Sequence, residues 1–153
     1  MSRRGFSMIE VMVVVAITLI IVAIAIPNIL EMQKKAKRAE LPVNIAGIRT
    51  AETAYNLSFD EHLELPLMPR VDDALDKNAV PWDTTEPSWR KIGFVPDGLV
   101  RGNYQVGLSQ VDHPDDLFLI TARCDVDDDN ALAEYTASDD RAAVITEIRA
   151  LLY

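Results

Sequence analysis

The chain has 153 residues, a net charge of −9 and a single cysteine, Cys124. This length accommodates one globular domain of about 100 residues beside a membrane segment. The acidic balance argues against nucleic-acid binding, which needs clustered Lys and Arg, and one cysteine excludes an intrachain disulfide.

The first predicted element is an apolar segment at residues 5–30. It opens with a Gly5–Phe6 junction, and within residues 11–26 only Thr18 is not apolar. A helix from the phenylalanine onward would extend about 37 Å, which is enough to cross a hydrocarbon core about 30 Å thick. The run is too long for the apolar region of a conventional signal peptide, and no small-residue cleavage site follows it.

One carboxylate, Glu10, lies near the start of this segment, four residues after Phe6. A charge inside such a segment costs about 2.5–3.5 kcal/mol at a helix centre and less near the interface. A compensating cation is therefore expected. An ordinary single-pass anchor is the alternative interpretation, but it gives no reason for Gly5, Phe6 and Glu10 to occur together.

These residues resemble the class III leader and N-terminal helix of type IV pilins and pseudopilins. That motif is a basic leader ending in Gly, then Phe, a Glu four residues later and an apolar helix carrying Pro; Gly5, Phe6, Glu10 and Pro27 match it. The resemblance implies that a prepilin peptidase cleaves between Gly5 and Phe6 and N-methylates the new amine. It also implies that this amine pairs with Glu10 of a neighbouring subunit in a filament core.

Basic residues flank the apolar segment on both sides. The leader, residues 1–5, carries two arginines, and the KKAKR run at residues 34–38 follows the predicted transmembrane and filament-core helix at residues 6–30. The positive-inside rule alone favours a cytoplasmic C-terminal domain. The resemblance implies the reverse: an anchor in the bacterial inner membrane with a periplasmic head that later enters an extracellular pilus. The basic run is expected to extend toward membrane lipid headgroups.

The second predicted element is an amphipathic continuation of the helix at residues 31–56. Its apolar residues recur at three- and four-residue steps, which predicts a helix face packed on a sheet. These residues are Leu41, Ile45, Ile48, Ala51, Ala54 and Tyr55. Pro27 and Pro42 are each expected to bend the helix, because proline removes a helix hydrogen bond.

An irregular variable loop is predicted at residues 57–91, which hold four prolines and both tryptophans. Trp82 and Trp89 are expected to cover the sheet rather than to bind a ligand.

The sheet head and C-terminal tail follow at residues 92–153. Turn signals separate four strand candidates, which predicts an antiparallel meander. The candidates are residues 91–96, 102–109, 116–124 and 131–138. The tail at 139–153 is interpreted as a short helix, with a final strand as the alternative. The predicted fold class is α+β, with a long N-terminal helix on a small antiparallel sheet as in pilins.

An acidic run in the head resembles the first half of a calcium loop. Asp125, Asp127 and Asp129 occupy alternate positions in DVDDDN, a spacing that lets carboxylates converge on a hard cation. The sixth position holds Asn130 instead of Gly, and the usual bidentate Glu of the twelfth position is missing. Glu134 is the nearest substitute. A possible Ca²⁺ site is predicted on these residues, with a solvated acidic turn as the alternative.

Enzymatic activity is not expected. His62 and His113 are isolated, nothing marks Cys124 as an activated thiol, and no nucleophile elbow, phosphate-binding loop or zinc spacing occurs. The resemblance predicts a structural subunit, a major or minor pilin, that polymerises with other pilins through the inner-membrane pilus assembly machinery. A pseudopilin of a type II secretion system shares the same N-terminus. A membrane-anchored calcium-binding protein is the third alternative.

Overall fold

The computed structural model describes residues 6–71, 75–110, 113–128 and 132–148. The chain divides into two compact units, of which the first ends at Lys35 and the second begins at Ala36.

Helix α1 spans Met8–Arg38. Ser7 caps its N-terminus, because the Ser7 Oγ accepts a hydrogen bond from the backbone N–H of Glu10 at 3.4 Å. The S-x-x-E spacing is that of a capping box. The helix continues through Pro27, although proline lacks the N–H that would complete the intrahelical ladder there. None of the residues of α1 is buried.

Helix α2 spans Glu40–Phe59 and ends at Asp60, which has a left-handed backbone with φ of 57°. Its predicted apolar face is largely confirmed. Leu41, Ile45 and Ile48 are fully buried, and Ala51 and Tyr55 pack against the same core. Ala54 is exposed instead. The helix therefore presents one apolar stripe to the head.

The head is a five-stranded antiparallel sheet with strands in sequence order. The strands are β1 Leu65–Met68, β2 Asn103–Gln110, β3 His113–Cys124, β4 Ala133–Ser138 and β5 Val144–Ile148. Helix α2 packs on β3 and β4, and alternate residues of the central strands fill the interface. Phe118, Ile120 and Ala122 of β3, for example, are fully buried. The predicted α+β fold, a long helix on an antiparallel meander, is confirmed.

A short helix, α3 at Pro87–Ile92, lies where the sequence was expected to hold the end of a loop and the strand 91–96. That strand prediction is wrong because local capping decides the structure. The Glu86 carboxylate accepts the backbone N–H of Trp89 at 2.9 Å, proline occupies the first helical position, and Gly93 ends the helix at a φ of 71°. Strand β1 also lies within the segment that was predicted to be irregular.

The tryptophans cover the core as predicted. Trp82 and Trp89 are 9% and 1% exposed, and their rings meet edge to face with centroids 4.9 Å apart. The indole Nε1 of Trp89 donates to the backbone oxygen of Pro66 at 2.9 Å. This satisfies the polar end of a buried ring and fastens α3 to β1.

The preferred prediction for the tail, a short helix, is wrong for residues 144–148, which form β5. Val144 and Ile145 pair with Thr136 and Tyr135 of β4. Consecutive β-branched residues favour an extended backbone, and β4 supplies the partner edge. The rest of the tail, residues 149–153, lies outside the described residues.

Candidate functional site

The N-terminus of α1 brings the predicted assembly residues to an accessible position. Phe6 is 81% exposed, and the exposed Glu10 lies in the first turn of the helix. Backbone N–H groups and the helix dipole favour a carboxylate in that turn. Glu10 therefore combines a local role in helix initiation with an accessible negative charge. Gly5 lies outside the described residues.

The remainder of α1 up to Leu30 is apolar around the whole helix. Large side chains on different sides of the helix, such as Val13, Val14 and Leu19, are each more than half exposed. A helix of this kind is stable only inside a membrane or against other apolar helices. By length and composition, the N-terminal helix is also the one candidate membrane span that was found among the described residues.

The acidic run proposed to hold calcium forms the turn after β3. The Asp125 Oδ1 accepts the backbone N–H groups of Asp127 at 3.2 Å and Asp128 at 2.7 Å. The Glu134 Oε2 accepts a hydrogen bond from the Arg123 Nε at 2.6 Å, across the pairing of β3 with β4. Asp129 lies outside the described residues, so the calcium site stays a prediction.

Three other carboxylates lie close together at the opposite ends of β3 and β4. Within the described ranges, carboxylate oxygens of Asp116, Asp139 and Asp140 lie within 4.8 Å of one another. The Arg141 guanidinium pairs with Asp116 and lies 3.9 Å from Asp140. This arginine compensates part of the negative charge.

A buried acid that sequence reasoning missed lies on α2. Glu52 is fully buried, and His62 approaches it with 3.7 Å between the imidazole Nδ1 and the carboxylate Oε2. Burial raises the pKa of the Glu52 carboxyl, and the Leu63 N–H and His62 oppose that shift. The available signal was spacing: Glu52 follows Ile48 by four residues and so continues the apolar stripe of α2.

Phe6 precedes an exposed apolar helix that carries Glu10 in its first turn. A second helix, packed on an antiparallel sheet, follows it, and together these elements are consistent with a pilin-like fold. The family model described as "Prokaryotic N-terminal methylation motif" matches residues 1–26.

Two curated relatives carry the likeness further. The chain is 44% identical over 53 residues to the type IV major pilin protein PilA of Myxococcus xanthus (strain DK1622). This alignment covers 35% of this chain and 24% of that protein. It is 27% identical over 99 residues to the type II secretion system core protein G of Pectobacterium carotovorum subsp. carotovorum. This second alignment covers 65% of this chain and 58% of that protein. The matches thus span about a quarter of the first relative and less than two thirds of the second. No solved structure shows a significant match. The chain is therefore similar to type IV pilins and to type II secretion pseudopilins, with the strongest likeness at its N-terminus.

Proposed function

We propose that this chain is a structural subunit, a major or minor pilin, of a type IV pilus. In this proposal a prepilin peptidase cleaves between Gly5 and Phe6, and the mature chain assembles through its N-terminal helix. The observation that carries the proposal is an accessible Phe6 and Glu10 at the head of an apolar helix with no buried residue.

Cleavage supplies the cation that Glu10 lacks. Hydrolysis of the Gly5–Phe6 peptide bond frees an α-amino group at the end of the apolar helix, and N-methylation leaves that amine able to carry a proton. Among bundled apolar helices the dielectric is low, so an unpaired carboxylate is strongly unfavourable and a paired one is stabilised. Pairing of Glu10 with the amine of a neighbouring subunit would therefore set the register of assembly.

The apolar surface of α1 supplies the contacts that surround this pair. Before assembly it is covered by lipid in the bacterial inner membrane, with the leader in the cytoplasm and the head in the periplasm. During assembly, driven by the inner-membrane pilus machinery, it exchanges lipid for the helices of other pilins. The driving terms are close packing and satisfaction of the Glu10 charge, because lipid tails are as apolar as the side chains they contact.

Intact mass and N-terminal sequencing of the chain from its native membrane test this proposal. A chain that begins at N-methylated Phe6 supports the prepilin pathway. A chain that begins at Met1 or Ser2 overturns it and makes the segment an ordinary anchor.

A pseudopilin of a type II secretion system is the second candidate. The alignment to core protein G favours it, since that alignment covers 99 residues and so extends well beyond the 26 residues of the methylation motif. Deletion of the gene separates the two. Loss of surface filaments with normal protein secretion supports the pilus, and loss of secretion with intact filaments supports the pseudopilin.

A further inference from the structure

The buried Glu52 carboxylate is incompletely solvated by the protein. Its Oε2 accepts the backbone N–H of Leu63 at 3.2 Å. Its Oε1 is buried and has no hydrogen-bond partner among the described residues. An ionised carboxylate offers about four acceptor sites, and a buried anion with one hydrogen bond is strongly unfavourable.

A second unsatisfied atom lies beside it. The Nδ1 of His62 is buried, also lacks a hydrogen-bond partner among the described residues, and lies 3.7 Å from the Glu52 Oε2. The imidazole packs on Phe118 of β3 with ring centroids 4.9 Å apart, and the His62 side chain is only 15% exposed. The ring is therefore held against the carboxyl group.

The other groups around this pair, among the residues that the structure describes, do not supply a counter-ion. Tyr55, one turn further along α2, donates its hydroxyl to the Glu61 Oε1 at 3.0 Å, and from β3 the apolar Phe118 faces the imidazole. Among the described ionisable groups, His62 is the one whose charge acts to lower the pKa of Glu52, and its effect is smaller than that of burial.

We propose that the folded head holds one proton between Glu52 and His62, and that this proton fastens α2 to the segment entering β1. A proton on the carboxyl group donates to Nδ1; a proton on Nδ1 donates to the carboxylate. Either position leaves the pair with no net charge and gives Nδ1 and the carboxyl group a partner after a slight approach. Without the proton, the pair carries a net negative charge in a buried position, whichever ring nitrogen of the neutral imidazole holds the hydrogen.

The pH dependence follows from counting protons in the folded and unfolded chains. For Glu52 alone, the raised pKa means that stability is fully present below the ordinary value of 4.5 and is lost as pH rises through the folded value. In the unfolded chain, however, an imidazole still carries a proton up to about pH 6.5. Between the ordinary carboxyl value of 4.5 and about pH 6.5, the folded and the unfolded pair therefore each bind one proton, and above about pH 6.5 the unfolded pair binds fewer.

The test is urea unfolding of the full chain in detergent micelles between about pH 4 and pH 9, followed by the fluorescence of Trp82 and Trp89 in the head. Above about pH 6.5 the unfolding equilibrium constant of the wild type should rise about tenfold per pH unit relative to Glu52→Gln. The glutamine amide donates to Nδ1 without titrating and keeps an acceptor for the Leu63 N–H. Glu64→Gln, an exposed carboxylate near the same segment, is the matched control and should follow the wild type.

Parallel pH profiles for the wild type and Glu52→Gln overturn the shared proton. His62→Gln provides an independent check, including the case in which Glu52→Gln does not fold. With the imidazole removed, the loss of stability should begin near the ordinary carboxyl value of 4.5, about two pH units earlier than in the wild type. An unchanged onset contradicts the proposal.

Discussion

The carboxylate of Glu40 joins the first turn of α2 to Arg101, just before β2. Its Oε1 accepts the Arg101 backbone N–H at 2.8 Å, and its Oε2 lies 3.5 Å from the Arg101 Nη1. The same Oε1 accepts the hydroxyl of the fully buried Tyr104 at 3.3 Å, and the Asn44 amide donates to that hydroxyl at 2.8 Å. One side chain thus satisfies two donors where the helix meets the sheet.

Substitution of Glu40 by alanine should lower the free energy of unfolding of the head by about 2 kcal/mol, because the Arg101 N–H and the Tyr104 hydroxyl lose their acceptor. Urea unfolding monitored by tryptophan fluorescence measures the change. Glu40→Gln keeps an acceptor and should lose less, while exposed Glu64→Ala should change stability by less than about 0.5 kcal/mol. Equal losses in Glu40→Ala and Glu64→Ala would contradict this role.

Gly47 allows Phe94 to pack closely against α2. A Cβ at this position would lie 2.8 Å from the Phe94 Cε2, so Gly47→Ala forces the ring to move at a cost of about 1–3 kcal/mol. The gain in helix propensity, about 1 kcal/mol, offsets only part of this. A net loss of about 1 kcal/mol in unfolding free energy is expected. Phe94→Leu in the same chain should remove most of that loss, and additive effects of the two substitutions would exclude the clash.

The parts of the fold that depend on local periodicity could be predicted from the sequence. The stripe of Leu41, Ile45 and Ile48 and the alternation of β2 and β3 both report which face is buried. The strand prediction for residues 91–96 was wrong because the apolar residues there suit a strand, whereas the cap at Glu86 and the left-handed Gly93 specify a helix that ends within this segment. The helix prediction for the tail was wrong because its sequence pattern suits either a helix or a strand. Pairing with the edge of β4 selects the strand, β5.

The candidate assembly site was visible in the sequence because Gly5, Phe6 and Glu10 lie within six consecutive residues. The polar pairs of the head were not. Glu40 and Tyr104 are 64 residues apart, and only the packing of α2 on the sheet brings them together. Glu52 and His62 are closer in sequence, but their relation depends on the left-handed turn at Asp60.

Cys124 should be unreactive in the folded chain. It is 1% exposed, and burial raises the pKa of its thiol to about 12, so the thiolate that reacts with alkylating reagents is scarce at pH 8. Labelling with iodoacetamide, read by intact mass, should be negligible under native conditions and complete in concentrated urea. Rapid modification of the folded chain at pH 8 would contradict the packing at the end of β3.

Calcium should stabilise the head if the acidic turn binds it. At a free concentration one hundred times the dissociation constant, binding to the folded state alone adds about 2.7 kcal/mol. Thermal unfolding in calcium against chelator measures this. Asp125→Asn should abolish the difference while keeping the acceptor for the Asp127 and Asp128 N–H groups. Asp83→Asn is the matched control, because Asp83 also accepts a backbone N–H, that of Thr85 at 2.8 Å. An identical unfolding temperature with and without calcium would rule the site out.

Glu10 should control assembly without affecting membrane insertion. Glu10→Gln removes the charge that we propose pairs with the amine of a neighbouring subunit. Leaving that amine unpaired in a low-dielectric helix bundle is expected to reduce incorporation into filaments at least about tenfold. The amount in the membrane fraction should be unchanged, because insertion depends on the apolar segment.

Ser7→Ala is the matched control: it removes the hydroxyl that accepts the Glu10 N–H but leaves the carboxylate, so it separates helix capping from charge pairing. Quantitative immunoblots of sheared filaments and membranes measure both pools. Wild-type incorporation of Glu10→Gln would contradict the pairing between subunits. An equal defect in Ser7→Ala would show that Glu10 acts through helix initiation instead.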